Sequence, residues 1–245
     1  MQANTSIAAV ILAAGKGTRM KSDLPKVMMP LCGKPMISYP IKTLEGMGVE
    51  KIVVVTAPDG DLVRQEVVPH MSCIQKEQLG TGHAVLSARE QLKGFNGAVL
   101  VIFGDNPIIT AETYQTAVNK LQEGCSVVVL GFRPEDPARY GRLVVKNGEL
   151  VKIVEFKDAT DQEKAINLCN SGCMCFDGRV MFDLLDKIGN ENAAGEYYLT
   201  DAIAVARAQG LKCGVVECSA EEVAGANTRE ELALLETFYK QRKAC

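Results

Sequence analysis

Ile7-Ala8-Ala9-Val10-Ile11-Leu12-Ala13-Ala14-Gly15-Lys16-Gly17-Thr18-Arg19-Met20 is the stretch that decides the fold of this chain. Its opening residues are apolar without a break. A strand with one face in water alternates apolar and polar residues, so an unbroken run implies a strand buried on both faces. The run ends in a turn with two glycines, Gly15 and Gly17, where backbone can bend and approach a ligand without side chains in the way. The exposed N–H groups of such a turn form a nest for an anion. Lys16, Arg19 and, after Pro25, Lys26 bring cations to the same place. In an open α/β sheet, the carboxyl ends of the strands are where ligands bind.

The turn is not a P-loop, because Gly-x-x-x-x-Gly-Lys-Ser/Thr is absent. Nor is it a dinucleotide fingerprint, because Met20 stands where the third glycine belongs.

Three further runs read as buried strands: Lys51 to Thr56, Ala98 to Phe103 and Ser126 to Leu130. Helical patterns lie between them, at about 35–47, 82–91 and 111–123. Strand–helix–strand repetition predicts an α/β fold, a Rossmann-like and mostly parallel sheet with helices on both faces. The middle of the chain departs from this. Arg142 to Lys146, then Asn147-Gly148, then Glu149 to Glu155 reads as a hairpin with a type I′ turn. That predicts a small antiparallel β sub-domain and a mixed sheet. A strand follows at Leu168 to Phe176 and a helix at Gly178 to Lys187. Tyr198 to Gln209 is another helix, closed by Gly210, and Lys212 to Glu217 a late strand. Thr228-Arg229-Glu230-Glu231 has the form of a capping box opening a last helix.

The chain has 245 residues, 47% apolar and 23% charged, as a globular domain does. A net charge of −3 argues against a nucleic-acid partner, which calls for a basic excess. The first six residues lack a basic n-region, and the apolar run from Ile7 to Ala14 is too short for a membrane span. No membrane insertion is expected, and a cytoplasmic location is the default. The nine cysteines are odd in number and irregular in spacing, which does not describe a disulfide framework. Cys169, Cys173 and Cys175 cluster, but no fourth zinc ligand lies near them in sequence. In a strand, Cys173 and Cys175 share one face and serve as small core hydrophobes.

The third buried run leads directly into Gly104-Asp105-Asn106-Pro107. The Asp105 carboxylate therefore emerges at the same sheet edge as the Gly15 turn. Mg²⁺ prefers one or two carboxylates, completed by phosphates and water, and Asp105 fits that demand. A turn-forming Asp before Asn-Pro is the other reading.

Taken together, Leu12-Ala13-Ala14-Gly15-Lys16-Gly17-Thr18-Arg19-Met20 with Pro25-Lys26 resembles the nucleotide-binding signature of the sugar-1-phosphate nucleotidyltransferases. The resemblance runs along the whole chain. Gln75 to Ala84 looks like that family's base- and ribose-recognition segment, and Gly104 to Pro107 like its metal-binding turn. Tyr140-Gly141-Arg142, Ile153-Val154-Glu155, Asn170-Ser171-Gly172 and Gly195 to Asp201 look like its sugar-side motifs. Val223 to Arg229 is similar to its late Gly-x-Asn-x-Arg segment. The nearest pattern is the uridyltransferase part of the bifunctional N-acetylglucosamine-1-phosphate uridyltransferases.

That resemblance implies UTP and a sugar 1-phosphate as partners and Mg²⁺ as cofactor. It implies that Leu12, Ala13, Ala14, Gly15, Lys26, Gln75, Gln78, Gly80, Thr81 and Gly104 hold the nucleotide. Arg19, Lys26 and Asp105 would be the catalytic groups, with Arg19 acting on the phosphates and the departing pyrophosphate. Asp105 and Asn227 would hold the metal, although a neutral Asn near a helix start is also an ordinary loop residue. Gly141, Glu155, Asn170, Tyr198 and Thr200 would hold the sugar. Helix packing explains Tyr198 and Thr200 equally well, and a strand-end surface charge is the plain alternative for Glu155. His83 is not needed as a base, because the attacking phosphate is already ionised. A single domain over 1–245 is implied, with a nucleotide part at about 1–132, a sugar part at about 133–227 and a C-terminal helix at about 228–243.

Two departures stand out. Phe103 occupies a position commonly Tyr in the nearest pattern, so a hydroxyl contact would be lost. The hexapeptide β-helix that carries acetyltransferase activity in the bifunctional enzymes is absent from this sequence, so that activity is not expected here. Other acceptors, such as N-acetylmuramate or a neutral hexose 1-phosphate, and a non-catalytic binding role are the competing readings. The oligomeric state is left open.

Overall fold

A computed structural model describes residues 5–15, 22, 24–226 and 228–244 of the chain. Strand β1 (Ile7–Ala13) is buried throughout. A single 3-10 turn (Lys26–Met28) leads into a two-stranded antiparallel ribbon, β2 (Pro30–Leu31) and β3 (Lys34–Pro35), and then helix α1 (Ser38–Gly46). Next come β4 (Lys51–Thr56), α2 (Asp61–Glu66), β5 (Met71–Ile74), α3 (Thr81–Leu86), β6 (Ala98–Phe103) and α4 (Ala111–Gln122). The second half holds β7 (Val127–Phe132), β8 (Arg142–Lys146), β9 (Glu149–Val154), α5 (Asp161–Lys164) and β10 (Cys169–Asp177). It ends with α6 (Met181–Leu185), a 3-10 turn at Leu199–Asp201 running into α7 (Ala202–Ala208), β11 (Cys213–Glu217) and α8 (Arg229–Ala244).

Among the described residues, nine strands form one sheet with the main order β11-β7-β10-β6-β1-β4-β5, and β8 with β9 branches from β10. The β6, β1, β4 and β5 strands are mutually parallel, as are β7 and β11. Strand β10 runs antiparallel to both β6 and β7, so the sheet is mixed and mostly parallel. The expected hairpin is the β8–β9 pair. Asn147 and Gly148 both have positive φ, 52° and 79°, as a type I′ turn requires.

Alternation along β1 explains the two-sided burial. Ala8, Val10 and Leu12 point into a core with α3, α6 and α7, while Ile7, Ala9, Ile11 and Ala13 point into the opposite core with α1, α2 and α4. Cys169, Cys173 and Cys175 are buried in the second core, and burial pushes the Cys173 thiol up to about 12. They act as the small hydrophobes their spacing suggested. A third cluster fixes α8: Leu235 is buried with Leu31, Met36 and Ala226, and Tyr39 packs edge-on to Tyr239. The capping Thr228 accepts from the Glu231 amide at 3.1 Å.

Several boundaries differ from expectation. The helix expected at 82–91 ends at Leu86 and continues as turns, and the one expected at 178–187 is confined to Met181–Leu185. The helix expected from Tyr198 begins as the 3-10 turn, leaving Tyr198 outside in an extended conformation. Gly178 explains one of these shifts. A Cβ there would lie 2.7 Å from the Gly97 carbonyl oxygen, so this residue packs against a neighbouring loop instead of starting a helix.

Candidate active site

The parallel strands β1 and β6 end side by side, and their ends form the floor of the site. The Gly104 amide donates to the Leu12 carbonyl at 3.0 Å, tying the two turns together. A Cβ on Gly104 would stand 3.0 Å from the Val27 side chain. Its absence lets the 3-10 turn settle on β6 and sets Lys26 against Asp105. Lys26 Nζ and Asp105 Oδ2 form an ion pair, with side chains only 16% and 20% exposed. Such shielding lifts the pair above the small worth of a fully solvated one.

The next residue anchors the turn. Asn106 is buried, and its Nδ2 donates to the Val223 carbonyl at 2.8 Å. A Cβ on Gly225 would be 3.0 Å from the Asp105 carbonyl, so residues 223–225 lie directly against the 104–106 turn. Asn227 lies outside the described residues, as do Lys16 and Arg19.

Two clefts open at this edge. The first, about 720 Å³, is lined by Phe103, Asp105, Gly141, Glu155, Asn170 and Thr200, among others, and α8 adds Leu234 and Phe238 to its wall. The second, about 740 Å³, is lined by Ala13, Gly15, Pro25, Lys76 and Gln78, with Pro58 and Leu62 opposite. Asp105 faces the first cleft, and its partner Lys26 follows Pro25 of the second. The ion pair therefore links a residue of the first cleft to the turn that follows Pro25 of the second.

Glu155 is half-buried in the first cleft, at the end of β9. Burial pushes its carboxyl above the ordinary range, a donated hydrogen bond from Thr200 Oγ1 at 3.2 Å opposes this, and the nearby Asp201 and Asp158 add to it. Gly141 lies beside it, and a Cβ there would be 3.4 Å from a Glu155 oxygen. Asn170 joins them from β10, where its amide donates to the Gly141 carbonyl at 2.9 Å and its side-chain oxygen accepts from Gly172 N. The structure thus brings Gly141, Glu155, Asn170 and Thr200 together. Tyr198 is not among the residues lining this cleft.

On the nucleotide side, Leu12, Ala13 and Ala14 are buried, which leaves backbone as the part that can face a ligand, while Gly15 is exposed. Gln78 reaches back across the turn and its Nε2 donates to the Ala14 carbonyl. Gln75 is buried at the end of β5, with Nε2 directed to the Gly80 carbonyl at 3.0 Å and to His83 Nδ1 at 3.2 Å. His83 is thereby accounted for as a buried-loop partner. His70 pairs with Glu45 on the far side of the sheet.

Gly80 has φ +114°, and a Cβ there would stand 2.6 Å from the Tyr197 carbonyl oxygen, so the chain itself packs against its bare backbone. The Tyr197 amide donates to Leu79 O and the Gly82 amide to Tyr197 O, both at 2.8 Å, and Thr81 Oγ1 accepts from Leu199 N at 3.0 Å. The 195–199 segment is therefore laced to the 79–82 segment. A second feature outside the sequence reading is the Phe103–Gly172 contact. Gly172 has φ +88°, and a Cβ there would be 2.5 Å from the Phe103 ring, so the ring fills the space a side chain at Gly172 would need. The glycine within Asn170-Ser171-Gly172 was the available signal; the partner it accommodates was not.

No group of three or more His, Cys, Asp or Glu able to hold a metal occurs among the described residues. One carboxylate in an open cleft suits Mg²⁺, which takes few protein ligands and completes its shell with phosphate and water, far better than it suits zinc. The donor set of Asp105 therefore fits a hard divalent cation.

A fold of this kind, with a glycine turn, a carboxylate and a cation converging at the parallel strand ends, is that of a nucleotide-handling α/β domain. Residues 9–168 match the MobA-like NTP transferase domain, and the chain belongs to that family. It is 52% identical over 240 residues to the Bifunctional protein GlmU of Rhodospirillum rubrum, a match that covers 97% of this chain and 54% of that protein. It is 48% identical to the proteins of the same name from Paramagnetospirillum magneticum, over 242 residues, 98% of this chain and 54% of that one, and from a Ruegeria species, over 239 residues, 96% and 53%. The chain spans about half the length of these curated relatives. Among the described residues, no helix is long and apolar enough to cross a membrane.

Proposed function

We propose that this chain transfers a uridylyl group from UTP to N-acetylglucosamine 1-phosphate, giving UDP-N-acetylglucosamine and pyrophosphate. The observation that carries the reading is the Lys26–Asp105 pair, which ties the cleft lined by Asp105, Glu155 and Asn170 to the turn that follows Pro25 of the cleft beside the glycine turn. A sugar-phosphate oxygen attacks the α-phosphorus, the new P–O bond forms in line with the breaking bond to the β-phosphate, and pyrophosphate leaves. Both reactants are anionic, so catalysis consists of positioning and charge neutralisation. No base is required, since the attacking oxygen carries no proton to remove at neutral pH.

In this reading the Gly15 turn and Gln78 hold the nucleotide, and Lys26 lies along its phosphates. Gln75, Gly80 and Thr81 shape the base pocket largely by holding its loop. Asp105, with Asn227, would hold Mg²⁺, which supplies positive charge against the phosphates. Arg19 serves the departing pyrophosphate. Gly141, Glu155, Asn170 and Thr200 take the sugar, and Tyr198 flanks them. The same reading divides the chain into a nucleotide part at about 1–132, a sugar part at about 133–227 and the closing helix, and sets the reaction in the cytoplasm. Glu155, with Asp158 and Asp201 beside it, disfavours an acceptor that carries its own carboxylate, such as an N-acetylmuramate phosphate.

Pyrophosphate release from a matrix of nucleoside triphosphates and sugar 1-phosphates, with and without Mg²⁺, tests this. Release should be largest with UTP, N-acetylglucosamine 1-phosphate and Mg²⁺. Release confined to a neutral hexose phosphate overturns the acceptor, and no release from any pair overturns the activity.

A further inference from the structure

The segment assigned to the nucleotide and the segment assigned to the sugar are joined by a short relay of hydrogen bonds. Leu79 O accepts from Tyr197 N and Tyr197 O accepts from Gly82 N, each at 2.8 Å. Two residues past Tyr197, Thr81 Oγ1 accepts from Leu199 N at 3.0 Å. One residue further, Thr200 Oγ1 donates to Glu155 Oε1 at 3.2 Å. Gly80 has no Cβ because Tyr197 occupies that space.

Leu199 and Thr200 open a 3-10 turn whose preceding residue is extended and gives no side-chain cap. The Leu199 amide sits at the start of that turn, where an N–H has no partner within the turn itself. Thr81 supplies the acceptor from outside. Its hydroxyl therefore fixes where the turn begins, and with it the position of the Thr200 hydroxyl on Glu155. We infer that Thr81 is a positioning residue for the acceptor sugar, acting through Leu199 and Thr200 on Glu155, although it stands in the nucleotide-recognition segment. The inference rests on the acceptor assignment proposed above.

Thr81→Val keeps the shape and removes the acceptor oxygen; Thr81→Ser keeps the oxygen. Two readouts are needed. Amide hydrogen exchange of the ligand-free protein should show Leu199 protection reduced about tenfold in T81V and restored in T81S. Steady-state rates with UTP, N-acetylglucosamine 1-phosphate and Mg²⁺ should show the acceptor KM raised about fivefold or more in T81V, as expected for losing one hydrogen bond to a buried donor. Any change in the Kd for UTP alone should be smaller than the change in acceptor KM, since the Leu199 bond uses the Thr81 hydroxyl only as an acceptor and Thr81→Val removes that acceptor. T81S should return the acceptor KM toward normal. A rise in UTP Kd with an unchanged acceptor KM overturns the inference, as does an unchanged acceptor KM despite lost Leu199 protection. Intact Leu199 protection in T81V overturns it as well. Wild-type turnover only with a different sugar phosphate replaces the acceptor, and the same comparison is then read on that sugar.

Discussion

Asn106 donates through its side-chain amide to the carbonyl of Val223, 2.8 Å away and 117 positions later in the chain. This one bond closes the Asp105 turn against the segment that leads to Asn227. Asn106→Ala leaves the Val223 carbonyl without its buried partner, at a cost of about 1–3 kcal/mol. Chemical denaturation should show that loss. The Mg²⁺ concentration for half-maximal turnover should rise in the same variant. A stability loss with an unaltered Mg²⁺ requirement would separate this bond from the metal site.

Asp105→Asn keeps the volume of the side chain and removes its charge. Turnover should fall by roughly 10²-fold or more, in keeping with several kcal/mol of lost charge stabilisation, and excess Mg²⁺ should not restore it. The melting temperature should change little, because the carboxylate is paired at the rim and not within the core. Near-normal turnover would remove Asp105 from the metal site.

Lys26→Met tests the other half of the ion pair. If Lys26 stabilises charge that builds in the transition state, kcat falls by about 10²-fold while the UTP KM changes far less. A change confined to KM would make Lys26 a ground-state binding group.

Glu155 links the sugar cleft to pH. Its folded carboxyl lies above the unfolded value of 4.5. The folded state therefore holds the proton more tightly than the unfolded chain does. The stability cost of ionising Glu155 is complete at pH above the folded value, shrinks as pH falls through it, and is gone below the unfolded value. Glu155→Gln should accordingly raise Tm at about pH 8 and leave it nearly unchanged at about pH 4. The same variant should raise the acceptor KM. An equal Tm gain at both pH values would show that ionisation is not the cause.

Much of this was legible in the chain. Unbroken β-branched runs marked β1, β4 and β6, and Asn147-Gly148 marked the hairpin. Strand β5, Met-Ser-Cys-Ile, escaped because it is a short edge strand with half of its residues exposed and no β-branched run to mark it. Helix α5 escaped because it buries nothing. Within the site, Asp105 and Glu155 could be placed from strand ends alone. The Tyr197 lacing and the Phe103–Gly172 contact could not, because both depend on how closely two distant backbones approach. Gly80 shows the same limit: nothing in its neighbours in sequence points to Tyr197 as the group that packs against its bare backbone.

Strand β10 begins beside the end of β7, where Cys169 pairs with Phe132. Residues 133–168 thus leave the main strand order at the end of β7 and rejoin it at the start of β10, with the β8–β9 pair as a branch of the same sheet. In that interval lie the β8–β9 hairpin, Gly141 and Glu155. Geometrically the interval is a cassette: its two ends are already neighbours, so a replacement of different length meets the same anchor points without disturbing strand order. The part of acceptor recognition that rests on Gly141 and Glu155 can therefore change by exchange of one contiguous insert, while Asn170, Thr200 and the phosphate floor made by β1 and β6 stay in place.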